Sequence, residues 1–378
     1  MDLLTGFWNY VVVFLIILTV VVFVHELGHY LVARWNGVKI EVFSIGFGPE
    51  IFGRTDSSGT RWRVSALPLG GYVRMFGDAD ESSTAAEDRP LSEAEKAQSF
   101  RHKRLGQRAA IVAAGPLANF VFAIIGLAAM FTILGQPVTQ PVVGQVQPGS
   151  AAEAAGLRAG DRITDIDGRP IDRFQDIQRI VRLDIGEKLA LGIERGDRHL
   201  TVTAEPRVIE RKGMFGDMEK VPVLGVVADP ASTRIVRYSP GGALLESLRQ
   251  TEEMVTSTFV GIGQMISGTR GSDELGGPIR IAKGAGEAAQ LGLPSVIFYT
   301  ILLSLNLGLI NLFPIPVLDG GHILFYAIEA LLGRPLGERA QEYGFRIGLF
   351  LVLALMVFAT RNDIVSLPVW AMVKRLFS

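Results

Sequence analysis

The chain contains no cysteine among its 378 residues, which removes disulfides, thiolate metal ligands and a thiol nucleophile together and leaves the redox compartment unmarked. Net charge is also nearly absent. A balance of −1 and a pI near 6.6 give no electrostatic footprint for nucleic acid, and no basic stripe with interleaved aromatics runs through the sequence. Nucleic acid is therefore excluded as a partner. No lysine or arginine precedes Arg34, so the apolar run at residues 3–24 lacks the basic start of a secretory signal, and no small-x-small cleavage site precedes His25. It reads as a retained anchor. What is present is apolar surface: 48% hydrophobic residues and a mean hydropathy of +0.32 are too apolar for an ordinary soluble domain of this size. The 20% of charged residues, in turn, require exposed parts.

The first run holds about 22 residues, long enough at ~1.5 Å per helical residue to cross a ~30 Å hydrocarbon core. Further spans are legible at 111–134, 296–313 and 344–359. Arg101, Lys103, Arg104 and Arg108 crowd the approach to the second, and Arg334, Arg339 and Arg346 lie around the connection from third to fourth. The positive-inside rule makes both connections cytoplasmic, with the long middle segment outside. A lipid bilayer is thus an expected partner.

His25-Glu26-Leu27-Gly28-His29 stands at the end of the first span. Two histidines four apart on a helix share a face and can hold one tetrahedral zinc, with Glu26 placed to take a proton from water there. Chance could write such a motif in a soluble helix, where the histidines would be ordinary core residues. Ionisable groups in lipid are costly and are found where they function. First and third spans run in the same direction, so a third ligand belongs late in the third span or just beyond. Asp319 stands there, in the stretch from Asn311 to His322 that carries Pro314, Pro316, Gly320 and Gly321 and reads as partly unwound.

These residues resemble the site-2 protease family, in its bacterial branch of regulator of sigma-E proteases. The resemblance covers nearly the whole chain and rests on His25 to His29, on Gly115-Pro116-Leu117-Ala118-Asn119-Phe120, and on Asn311 to His322 with Leu318-Asp319-Gly320. It implies a polytopic α-helical membrane protein of about four transmembrane helices with an inserted α+β PDZ domain and a small cytoplasmic β-hairpin or sheet. It also implies one zinc per chain, held by His25, His29 and Asp319, with Glu26 catalytic and Asn119 and Asn311 touching the substrate. His322 is assigned a supporting place rather than a ligand's. The implied activity is intramembrane endoproteolysis of single-pass, type II membrane proteins such as anti-sigma factors already trimmed by an upstream site-1-type protease, with remnant signal peptides as a further class. The implied location is the bacterial inner membrane, with the PDZ domain periplasmic and the site toward the cytoplasm.

The expected segments are a first helix at 1–35, a cytoplasmic β-rich loop at 36–105, a second helix at 106–134, and the PDZ domain at 135–210. A linker and helical segment follow at 211–293, then a third helix bearing the Leu-Asp-Gly motif at 294–322, a connection at 323–343, a fourth helix at 344–360 and an interfacial tail at 361–378. The PDZ resemblance rests on short strands, Gly-rich turns and Ala155-Gly156-Leu157-Arg158-Ala159-Gly160-Asp161. Strands are expected at 189–193 and 200–204 and a helix at 174–182. Val142, Val143, Gly144, Gln145 and Val146 are the expected peptide-binding strand. Residues 223–229 read as a strand fragment without a second PDZ signature. Residues 40–75 read as a sheet able to pair with an unwound substrate, or as a plain connector, and 78–97 as an acidic loop. Two rival readings are a divalent-metal transporter, which would need polar residues along several spans, and a catalytically silent PDZ adaptor, against which Glu26 stands.

Overall fold

In the computed structural model, residues 3–78, 91–183, 188–212, 218–268, 271 and 275–366 are described. Trp370, Lys374 and Arg375 of the expected tail, and most of the expected acidic loop, lie outside them. The chain divides into two compact units, Met1–Gly126 with Gly276–Ser378, and Leu127–Leu275.

The first unit holds α1 (Leu3–Trp35), β1 (Ile40–Thr55), β2 (Arg61–Met75), α2 (Glu93–Gln98) and most of α3 (Leu105–Ile133). Its second part holds α7 (Pro278–Leu291), α8 (Leu293–Asn311), α9 (Asp319–Leu332) and α10 (Glu338–Ser366). Four helices are long and apolar enough to cross a membrane, with segments Tyr10–Trp35, Leu105–Ile133, Leu293–Asn311 and Arg339–Val365. The last is longer than the expected 344–360 because its polar ends stay helical. Asp363, almost wholly buried, accepts the backbone N–H groups of Gly277, Ile279 and Arg280 and so caps α7.

The third span is shorter than expected. Proline cannot continue a helix, so α8 stops at Asn311 ahead of Pro314 and Pro316, and Asp319 starts a separate helix. In the connecting turn Val317 takes φ +96°, a conformation that is strained for a β-branched residue, at about 1–3 kcal/mol.

β1 and β2 are two strands that behave as four. Residues 40–45 pair with 61–64 on one side and 71–75 on the other, while 52–55 pair with the far edge of 61–64. The sheet is anchored by a cluster in which Phe43, fully buried, stacks on Trp62 and meets Tyr30 edge-on, beside Ile40, Met75, Phe100 and Ile111. Burial of one such ring is worth about 1.5–3 kcal/mol.

The second unit holds β3 (Gln136–Thr139), β4 (Val143–Val146), α4 (Ala151–Ala154), β5 (Arg162–Ile166), β6 (Arg169–Pro170) and α5 (Phe174–Leu183). After these come β7 (Leu189–Arg195), β8 (Arg198–Ala204), β9 (Arg207–Lys212), β10 (Met218–Val223), β11 (Val226–Ala228), β12 (Thr233–Val236) and α6 (Pro240–Ile266). A four-stranded sheet in the order β6-β5-β7-β8 packs α4 and α5 over Ile163, Ile166, Ile177, Leu189, Leu191 and Ile193, the α+β arrangement of a PDZ domain. The domain runs past its expected end at 210, because β11 pairs antiparallel with β4. The fragment at 223–229 thus completes the first PDZ domain.

That pairing occupies one edge of the expected peptide-binding strand. Val142, Val143, Gly144, Gln145 and Val146 lie against β11 on one edge, where Asp229 N–H bonds to Val142 C=O. On the other edge Val143 donates to Asp161 C=O and accepts from Gly160 N–H. Both edges are thus engaged at Val142 and Val143, where an added peptide would have to displace a partner. Among the described residues β11 pairs only with β4, so its outer edge is the open one.

Candidate active site

The site forms where α1, α3 and the start of α9 meet, all within the first unit. Gly28 and Gly115 permit the approach of α1 and α3. A Cβ on Gly28 would fall 2.3 Å from Ala114 O, and one on Gly115 would fall 2.2 Å from His29 Nε2. Small residues at a helix crossing let backbones come this close. α9 is tied to α3 by Arg108, which bonds Glu329 at 2.6 Å and lies over the Tyr326 ring at 4.9 Å.

His25 and His29 are buried, and Asp319 is partly so. Their ligand atoms make a triangle: Asp319 Oδ2 lies 3.1 Å from His25 Nε2 and 3.5 Å from His29 Nε2, and the two nitrogens are 3.3 Å apart. Tetrahedral zinc with bonds of about 2.0–2.1 Å sets its ligand atoms about 3.3–3.4 Å apart, so the triangle has the size that zinc requires. Asp319 Oδ2 is also buried without a hydrogen-bond partner, as expected of an atom whose partner is a metal. His29 Nδ1 donates to Ile111 C=O at 2.9 Å, which leaves Nε2 free to ligate.

Glu26 faces the sheet. Gly71 of β2 passes beside its Cγ, and Val73 turns its backbone N–H to the carboxylate. Among the described residues the segment 71–75 pairs with another strand on one side only, so an edge of the sheet runs past the candidate base.

The other expected residues divide. Asn311 ends α8, is half-buried, and its amide makes no hydrogen bond among the described residues. Asn119 is fully buried, and its amide lies 3.2 Å from His25 Nδ1. It faces the candidate ligand His25. His322 is outside the ligand triangle, with its ring against Phe345 of α10 at 5.2 Å. Sequence reasoning expected a sheet at 40–75 able to pair with a substrate, without picking out its edge at 71–75, and did not single out the Ile111 carbonyl or the two crossing glycines. Only the glycines left a signal, being small residues in two motifs on different spans.

Two histidines and a carboxylate at metal spacing, with a neighbouring glutamate and all of them on or beside membrane-spanning helices, define a membrane-embedded metalloprotease. Residues 13–355 match the sequence profile of Peptidase family M50. A protein of Agrobacterium fabrum that carries the name zinc metalloprotease is 47% identical over 368 residues, covering 96% of this chain and 98% of the relative. One of Rhizobium meliloti with the same kind of name is 45% identical, covering 93% and 95%. The regulator of sigma-E protease RseP of Salmonella typhimurium is 34% identical, covering 96% and 99%. The chain belongs to peptidase family M50; it is a multi-pass membrane zinc metalloprotease.

The Salmonella alignment spans 458 positions, more than the 378 residues here, so that relative holds sequence without counterpart in this chain. Among solved structures, a PDZ domain of an SdrC-like protein from Listeria monocytogenes is 24% identical, covering 23% of this chain and 84% of that one at TM-score 0.20. Its Listeria innocua counterpart is 23% identical, covering 24% and 92% at TM-score 0.20.

Proposed function

We propose that the protein cuts single-pass, type II membrane proteins within or beside their transmembrane helix. The observation that carries this is the triangle of His25, His29 and Asp319 with Glu26 at its side, facing an open strand edge. His25, His29 and Asp319 hold the zinc. When bound, zinc polarises the scissile carbonyl and lowers the pKa of water toward ~7. Glu26 accepts the proton of the attacking water and delivers it to the leaving amine.

A peptide bond in a helix is shielded, so the substrate has to be extended first. The edge at 71–75 supplies backbone groups for an added strand, and the unpartnered Asn311 amide supplies a further hydrogen bond to the substrate backbone. Substrates of the anti-sigma-factor class, trimmed beforehand by a site-1-type protease, fit this arrangement, as do remnant signal peptides. The basic residues ahead of α3 and around α10 favour a bacterial inner-membrane orientation with the site toward the cytoplasm and the PDZ domain in the periplasm.

The test is cleavage of a type II transmembrane peptide by the purified protein in liposomes, with and without a chelator. Glu26→Gln should lose about 10²–10⁴-fold in rate while keeping one zinc per chain. Cleavage that persists in the chelated protein, or in Glu26→Gln at the wild-type rate, would sink the proposal.

A further inference from the structure

Asn119 lies on α3 one turn beyond Pro116, fully buried, on the side of His25 that faces away from the ligand triangle. Its Nδ2 is 3.2 Å from His25 Nδ1, while its Oδ1 is buried without any partner. The two ends of an amide exchange places by a half-turn, so whichever end meets Nδ1 follows the tautomer of the ring. A histidine that gives its Nε2 lone pair to a metal carries its ring proton on Nδ1. That N–H requires an acceptor, and among the described residues the Asn119 amide is the side chain that reaches it.

We propose that Asn119 is a positioning residue for the metal. With the amide turned, Oδ1 accepts the Nδ1–H of His25, ends its own isolation and fixes the tautomer and ring angle that present Nε2 to zinc. His29 receives the same support from the Ile111 carbonyl, which no substitution can remove. The His25 side is therefore where a side chain sets ligand strength. α8 holds the asparagine in place: Ser304 Oγ donates to the Asn119 C=O at 3.2 Å, and a Cβ on Gly308 would lie 3.1 Å from the Asn119 Cβ. This inference rests on the reading of the triangle as a zinc centre and is read out by metal affinity rather than turnover.

The experiment uses the full chain in detergent, stripped of metal and titrated with zinc against a chromophoric chelator. Asn119→Leu, close in shape but without an acceptor, should bind zinc about 10–100-fold more weakly, the usual loss for an outer hydrogen-bond partner. Asn119→Asp, which can accept the same N–H, should stay within tenfold of wild type. Wild-type affinity in Asn119→Leu, with only the KM for peptide cleavage altered, would overturn the proposal in favour of substrate contact. Affinity as weak in Asn119→Asp as in Asn119→Leu would reduce the residue to packing. Should the leucine variant fail to fold, the aspartate variant decides alone, because a loss beyond tenfold there contradicts an acceptor role. Failure of the wild type itself to bind zinc would instead defeat the metal-centre reading, and this inference with it.

Discussion

Replacing Gly115 by alanine adds one methyl group, and the site geometry says where it must go. Its Cβ would sit 2.2 Å from His29 Nε2 and 2.5 Å from Cε1, against an ordinary heavy-atom contact of about 3.5–4.0 Å. The imidazole, or α3 itself, has to retreat by more than 1 Å. Zinc–ligand distances tolerate about 0.2 Å, so a displacement of that size removes His29 from the coordination set. Overpacking of this kind costs about 1–3 kcal/mol of stability, which a helix bundle survives. Metal binding should suffer far more than folding: a loss above about 100-fold, since disturbance of an outer partner alone costs about 10–100-fold. Zinc content by mass spectrometry, beside a thermal melt, separates the two effects. Gly106→Ala is the control on the same helix, because a Cβ there meets nothing within 4 Å. A Gly115→Ala protein that purifies with one zinc per chain would refute the argument that this glycine exists to seat His29.

Ligand and neighbour should also separate at α9: Asp319→Ala is expected to lose zinc, whereas His322→Ala, which removes a ring packed on Phe345, should keep it, as equilibrium dialysis would measure. In the PDZ domain, Asp161 is 1% exposed, and although burial raises its pKa, the bidentate Arg195 guanidinium outweighs that and holds it below the usual 3.8. A depressed carboxylate stabilises above its unfolded pKa and loses that contribution as pH falls through the folded value, so the wild-type domain should weaken only below about pH 4. Arg195→Met leaves the Asp161 carboxylate with the Arg158 backbone N–H but without its cation and should lower the melting temperature at neutral pH; Asp161→Asn in the same chain should recover much of the loss, and melts showing no recovery would contradict the ion-pair account.

What could be read from the residues was what local chemistry encodes in order along the chain. The apolar runs mark the spans, helical spacing puts His25 and His29 on one face, and the direction of the spans points to Asp319. The helix at Phe174–Leu183 and the strands at Leu189–Arg195 and Arg198–Ala204 stand where alternation and turn residues placed them. What escaped was set by contacts between distant segments. The strand fragment at 223–229 was legible, but not that it pairs with β4 about 80 positions earlier. Asn119 carries no mark in the sequence that places its amide beside His25; that neighbourhood belongs to the assembled helices. A capping box of Ser92 and Glu95 opens α2 inside the expected acidic loop, which composition alone reads as irregular.

The PDZ groove gives a last prediction, in which the two candidate strands make opposite forecasts. Gly225 C=O and Asp229 N–H both bond to β4, at Gln147 and Val142. Backbone groups alternate sides along a strand, so Val226 and Ala228 turn theirs to the open edge. An extended peptide with a free apolar C-terminus that adds as a strand there would convert those solvent-facing groups into ladder bonds. Hydrogen exchange in the full chain reads this directly: the amides of Val226 and Ala228 should slow on adding such a peptide. Those of Val142 and Val143, where both edges are engaged, should not change. Protection appearing at Val142 and Val143 instead would mean that one of their partners leaves to admit the peptide, and the closed-edge argument would then be wrong.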